Sequence, residues 1–116
     1  MYEYINLNYL NTVSAGDKAV KKQIIELFFT QMDEISGKLQ EALDKKDYKE
    51  LSQTAHLAKS SLRIMGIDDI AQQMEVLQET ASEESEVHRY PELVKYFLKN
   101  IPFAVKELQE ELSKNG

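Results

Sequence analysis

An all-α fold, an antiparallel four-helix bundle preceded by a short extra N-terminal helix, is predicted by three observations. Apolar residues recur at steps of three and four along nearly every long segment, and no stretch alternates with a period of two over a useful length. Only four Gly and two Pro occur among the 116 residues. Four long amphipathic segments joined by short connections close most simply as a bundle of antiparallel neighbours. A chain of this length supports one core, so 1–116 reads as a single domain.

The elements follow in order. A short first helix is expected around Ile5 to Val13, burying Ile5, Tyr9 and Val13, or Leu7 and Leu10. Ser14-Ala15-Gly16-Asp17 breaks it and supplies capping residues. From 17 to 45 the seam Val20, Ile24, Phe28, Met32, Ile35, Leu39 and Ala42/Leu43 predicts one bent helix, or two nearly continuous ones, with Gly37 at the bend. Asp47 and Glu50 have capping-box spacing and open a third long segment, which runs to Gly66, the residue type favoured in a left-handed C-terminal cap. Its seam is Leu51, Ala55, Ala58, Leu62 and Met65. The next helix begins near Asp68-Asp69, whose carboxylates suit a helix N-terminus, with a seam of Ile70, Met74, Leu77 and Ala81. Ser82 to Arg89 is polar and reads as a loop. Pro91 suits the first turn of a last helix carrying Val94, Phe97/Leu98, Ile101, Val105, Leu108 and Leu112, and Pro102 predicts a kink inside it.

Composition excludes several functions. There is no Cys, hence no disulfide framework, thiolate nucleophile or cysteine-ligated metal. No apolar run approaches the ~20 residues that span a bilayer, and the first residues lack the pattern of a secretory signal, so a cytoplasmic protein without membrane contact is expected. The formal net charge of −6 argues against a general nucleic-acid binder, which needs cations to replace phosphate counterions. Yet residues 45–63 hold Lys45, Lys46, Lys49, Lys59 and Arg63 against only Asp47 and Glu50. A basic strip on an acidic chain suits one anion or one acidic partner. The charged outer surface requires no second copy, and a monomer is expected, either free-standing or an independent domain of a longer chain.

That strip contains His56. At about 100° per residue, with Leu51 at zero, the seam residues fall within about 40°. On the same wheel Lys59, Ser52, Arg63, His56, Lys49 and Ser60 follow one another, in that angular order, across a single arc of about 100°. His56 thus sits mid-arc on a polar face with Lys59 one turn away, among the small residues Ala55, Ala58, Ser60 and Ser61. Leu57 and Ile64 lie on the opposite flank. A neutral imidazole has one nitrogen free to attack phosphorus while the other carries the proton, and phosphoryl transfer asks of its surroundings mainly positioning and positive charge.

The run His56-x-x-Lys59-Ser60-Ser61-x-x-x-x-Gly66 resembles the phosphoacceptor signature of histidine-containing phosphotransfer (HPt) domains of two-component phosphorelays, and the helix plan resembles theirs over nearly the whole chain. The chain departs from the pattern in two ways: Ser60 stands where the family often has Gly, and Leu62 and Arg63 interrupt its run of small residues. The resemblance implies that His56 accepts a phosphoryl group from one receiver-domain aspartyl-phosphate and passes it to another receiver aspartate. It assigns Lys59, Ser60 and Gln78 to stabilising the phosphoryl group or contacting the imidazole, and Leu57, Arg63 and Ile64 to docking the receiver. Ser61 and Gly66 belong to the structural motif. It implies no cofactor of the chain's own; Mg²⁺ belongs to the partner receiver of a hybrid sensor kinase or response regulator.

Other readings are weaker. No Gly-rich phosphate loop or nucleotide lid is present, so no kinase activity is expected. His88 follows Glu83, Glu84 and Glu86 in a predicted loop without a second His nearby, and no metal site is assigned. Phe28-Phe29 belongs to the core seam rather than to an aromatic box. A general base at His56 lacks an acid partner or pocket. The principal alternative is a docking or scaffold bundle for a receiver or sensor kinase that carries no phosphoryl group.

Overall fold

The computed structural model describes residues 2–115. Its elements are α1 (Asn8–Val13), α2 (Lys18–Asp44), α3 (Tyr48–Ile64), α4 (Asp68–Glu83), a 3₁₀ turn (Val87–Arg89) and α5 (Tyr90–Asn115). The four long helices close a ring in which α2 packs on α3 and α5, and α4 packs on α3 and α5. The molecule measures 43 × 22 × 21 Å, and its long axis matches the ~40 Å expected of the 27-residue α2 at 1.5 Å per residue. Inside lies one continuous apolar core.

Helix ends explain the sharp turns between neighbours. Asp17 caps α2 by accepting from the N–H groups of Ala19 (2.9 Å) and Val20 (3.2 Å). At the other end Lys46 takes φ +56°. Its N–H donates to Leu43 O, and the Asp47 N–H donates to Ala42 O, the pair of bonds of a Schellman cap. Asp47 then caps α3 by accepting from Glu50 N–H at 3.1 Å. Only half of the predicted capping box forms, because the Asp47 N–H is already committed to Ala42. Gly66 closes α3 in the same way at φ +67°, with Gly66 N–H on Arg63 O and Ile67 N–H on Leu62 O. Glu84 repeats the device after α4 at φ +51°.

All five seam residues of α3 are buried, as are the four predicted in α4. Three expectations need correction. The first turns of α2 bury Ile25, leaving Ile24 half-buried and Val20 exposed. Upstream of Gln31, which meets Ser61 of α3, α2 soon passes the end of α3 and faces α5, so its buried side turns toward Lys21 and Ile25. There Lys21 pairs with Glu111 at 3.4 Å. Of the two alternatives for α1, Tyr9 and Val13 are exposed, whereas Leu10 is buried and Leu7 half-buried, with Ile5 buried ahead of the helix. The loop after α4 is shorter than predicted, since α4 continues to Glu83 and a 3₁₀ turn precedes α5. α2 runs through Gly37 as one helix, and Pro102, on the exposed side of α5, does not end that helix.

Two anchors hold the ends. The buried Tyr90 hydroxyl lies 2.7 Å from the carbonyl oxygens of both Thr80 and Ser85, with Tyr48 edge-on to its ring. Burial raises the Tyr90 phenol pKa, with Tyr48, Glu84 and Glu86 adding to the shift and the bond to Thr80 opposing it. At the opposite end the N–H groups of Glu3, Tyr4 and Ile5 all donate to the Glu107 carboxylate at 2.9–3.1 Å. Tyr4 stacks on Phe103, and Asn6 N–H donates to Met65 O at 3.0 Å.

Candidate functional site

α3 carries its polar arc outward because Leu51, Ala55, Ala58, Leu62 and Met65 consume the opposite side. His56 is exposed near the helix midpoint, Lys59 is half-buried one turn on, and Ser60 is exposed. A half-buried lysine lays its aliphatic stem on the protein while its ammonium reaches water. Lys59 has no ion-pair partner among the described residues, which leaves its charge available to a ligand.

The side chains of His56, Leu57 and Gln78 share a shallow hollow of about 440 Å³ with Ser52 and Gln53. The structure therefore brings together the sequence-predicted His56 and Gln78, which stand on different helices. The Ser52 hydroxyl donates to the main-chain oxygen of Gln78 at 2.9 Å, pinning α4 to α3 one turn before His56. Gln78 Oε1 is buried and has no hydrogen-bond partner among the described residues; a buried acceptor left unpaired costs about 1–3 kcal/mol.

The flanks differ in chemistry. On the α4 side Arg63 pairs with Glu75 at 3.6 Å. It is tied to the bundle rather than reaching toward the imidazole. On the other flank Leu57 is 53% and Ile64 37% exposed, an apolar strip beside the histidine, and Leu27 of α2 is 58% exposed. Ser61 points to α2, where its hydroxyl donates to Gln31 Oε1 at 3.1 Å. Gly66 is held close to the N-terminal segment: a Cβ there would collide with the Asn6 carbonyl oxygen and lie 2.6 Å from the Asn6 Cβ.

Ser52, Gln31 and Glu75 were not singled out by the sequence. Ser52 falls on the polar arc, the only hint available; the partners of Ser61 and Arg63 depend on the register between helices, which no local pattern reveals. His88 lies exposed in the 3₁₀ turn, and no group of three or more His, Asp or Glu able to hold a metal exists among the described residues. Among the same residues, no helix is long and apolar enough to cross a membrane.

The sequence profile of the Hpt domain family matches residues 23–114, which include all of α3, α4 and the hollow between them. No curated protein and no solved structure gives a significant match. A match over most of the chain, on a helical bundle bearing an exposed histidine in the expected helix, makes this chain a member of the Hpt domain family, the phosphocarrier modules of two-component signalling.

Proposed function

We propose that the chain is a phosphorelay carrier in which His56 is the phosphoacceptor. The observation that carries the reading is the exposure of His56 at the middle of α3, in one hollow with Gln78 and one turn from Lys59, which is unpaired among the described residues. In the forward step the free imidazole nitrogen attacks the phosphorus of a receiver aspartyl-phosphate. The N–P bond forms, the bond from phosphorus to the aspartyl oxygen breaks, and the electron pair leaves with the aspartate carboxylate. The proton on the other ring nitrogen stays in place. Donation to a second receiver is the reverse, with that receiver's carboxylate as nucleophile.

Lys59 stabilises the equatorial phosphoryl oxygens, and Ser60 donates to one of them. Gln78 accepts from the protonated ring nitrogen. Leu57 and Ile64 form the apolar part of the receiver-docking surface, with Arg63, held by Glu75, as a cation at its edge. Mg²⁺ is supplied with the receiver, and the chain acts as carrier, with no kinase activity of its own.

The test is incubation with a phosphorylated receiver. One acid-labile, base-stable phosphoryl group should appear on the wild type and none on His56→Gln, whose melting curve should be unchanged. Label retained in His56→Gln, or found on His88, would sink the assignment. ATP and Mg²⁺ without a receiver should give no phosphoprotein; stoichiometric self-labelling would point to an enzyme instead.

A further inference from the structure

Ser52 stands one turn before His56 on the same helix, half-buried, and its hydroxyl is committed to the Gln78 main chain. That bond joins two helices at the level of the hollow. Three other side chains with donor groups or potential donors line the space: Gln53, His56 and Gln78 itself. The direction from α3 to Gln78 is marked by Ser52. About 100° of turn separates successive residues, so His56 lies about 40° from that direction and Gln53 about 100°. Of the side chains lining the hollow, His56 is therefore the donor best placed to meet the buried Gln78 Oε1, which is unpartnered among the described residues. The main-chain position from which the Gln78 side chain departs is the position Ser52 holds.

We infer that Ser52 is a positioning residue for the phosphoacceptor. Through its bond to the Gln78 carbonyl it keeps the Gln78 side chain beside the imidazole, so that Oε1, which makes no hydrogen bond among the described residues, can turn to accept Nδ1–H of His56 and fix the ring tautomer that leaves Nε2 free to attack phosphorus. Free imidazole side chains favour the opposite tautomer, with the proton on Nε2, so a reactive Nε2 needs an acceptor at Nδ1. The inference rests on the assignment of His56 given above, and it adds a residue outside the phosphoacceptor signature.

The experiment uses the full chain with ¹⁵N-labelled histidine as wild type, Ser52→Ala, Ser52→Thr, Gln78→Ala and the Ser52→Ala/Gln78→Ala double variant. Ring ¹⁵N shifts are read at a pH where His56 is neutral, beside the single-turnover transfer rate from a receiver charged with acetyl phosphate. Ser52→Ala should move the ring toward the Nε2–H tautomer and slow transfer about three- to tenfold, the scale of one lost hydrogen bond. Gln78→Ala should do the same, the double variant should add nothing, and Ser52→Thr, which keeps the hydroxyl, should restore both. A Ser52→Ala protein with the wild-type tautomer would overturn the inference, whether or not its rate falls. So would a Gln78→Ala protein with an unshifted ring. A wild type that takes no phosphoryl group on His56 would instead defeat the carrier reading, and the tautomer measurement, which needs no phosphate, separates the two failures.

Discussion

Lys59 is half-buried, carries no internal ion pair among the described residues, and lies one turn from the histidine. Its charge has no structural duty, so Lys59→Ala should change stability by no more than the ~0.5 kcal/mol usual for surface substitutions. Transfer from a phosphorylated receiver should slow ten- to a hundredfold, the effect of removing about 1.4–2.7 kcal/mol from a transition state. Single-turnover rates at saturating receiver, beside a thermal melt, check both numbers; an unchanged rate would return Lys59 to the ordinary surface. Arg63→Ala should cost less, because its guanidinium is already shared with Glu75. Tyr90 gives a pH signature. Its phenol is raised by burial, so the native state keeps the proton while the unfolded chain loses it. Stability should therefore fall as pH rises beyond the unfolded tyrosine value of about 10. Denaturant titrations of wild type and Tyr90→Phe across pH 9–11 should show a shallower fall in the variant, and parallel curves would refute the link. At this scale the sequence speaks wherever a residue type is itself the signal: Gly66 marks its left-handed cap, and His56 and Lys59 mark the candidate site. It was silent on Ser52, Gln31 and Glu75, whose roles come from partners about 12 to 30 positions away in the chain.

Helices show a similar division. The seams of α3 and α4 were legible because each is buried along its length by two neighbours, so periodicity alone locates the core side. The start of α2 was misread because one of its neighbours stops: with α3 ending at Ile64, the local pattern of Val20 and Ile24 no longer reports what faces it. The ends of α2 and α4 are legible in the sequence near Lys45 and Ser82, but a left-handed cap is legible only where glycine announces it. Lys46 and Glu84 adopt the same left-handed geometry as Gly66, and neither residue type advertises it. The strain is testable at Lys46, which is exposed. A left-handed non-glycine residue costs about 1–2 kcal/mol, whereas glycine's extra chain entropy in the unfolded state costs about 0.5–1 kcal/mol. Lys46→Gly should therefore stabilise the fold by about 0.5–1 kcal/mol. A shift of the urea midpoint to higher concentration at constant slope is the expected reading, and a lower midpoint would show that Lys46 makes a compensating contact.

For the whole molecule, the bundle class was visible in the sequence because four amphipathic segments with short connections leave few other ways to bury their seams. The fastening of the N-terminal segment was not. One carboxylate, Glu107, gathers three consecutive main-chain N–H groups from a stretch outside the 23–114 family match, and nothing local marks either partner. Glu107→Ala should lower unfolding free energy by about 1–3 kcal/mol, since hydrogen bonds to a charged group exceed neutral ones. It should also speed amide exchange at residues 3–6. The transfer rate at His56, ten residues from the α3 cap that this segment touches, should stay within about twofold because the hollow makes no contact with it. Unaltered exchange at residues 3–6 would mean that Tyr4, Asn6 and the buried Ile5 hold the segment without Glu107.

The same fastening settles a question of connectivity. Tyr2 donates to Glu111 and receives the Lys114 ammonium both as a hydrogen bond at 3.2 Å and over its ring at 5.1 Å, so the first and last described turns of chain lie side by side. A domain fused before Tyr2 and one fused after Lys114 would depart from the same end of the rod, and their tethers would start from nearly the same point relative to His56. Order of fusion would then matter little to the local concentration each tethered partner presents to the histidine; linker length would set it. The juxtaposition also makes the chain a candidate for circular permutation, its old ends joined by a short linker and new ones opened at Lys45-Lys46, where cutting relieves a left-handed residue and leaves every long helix whole.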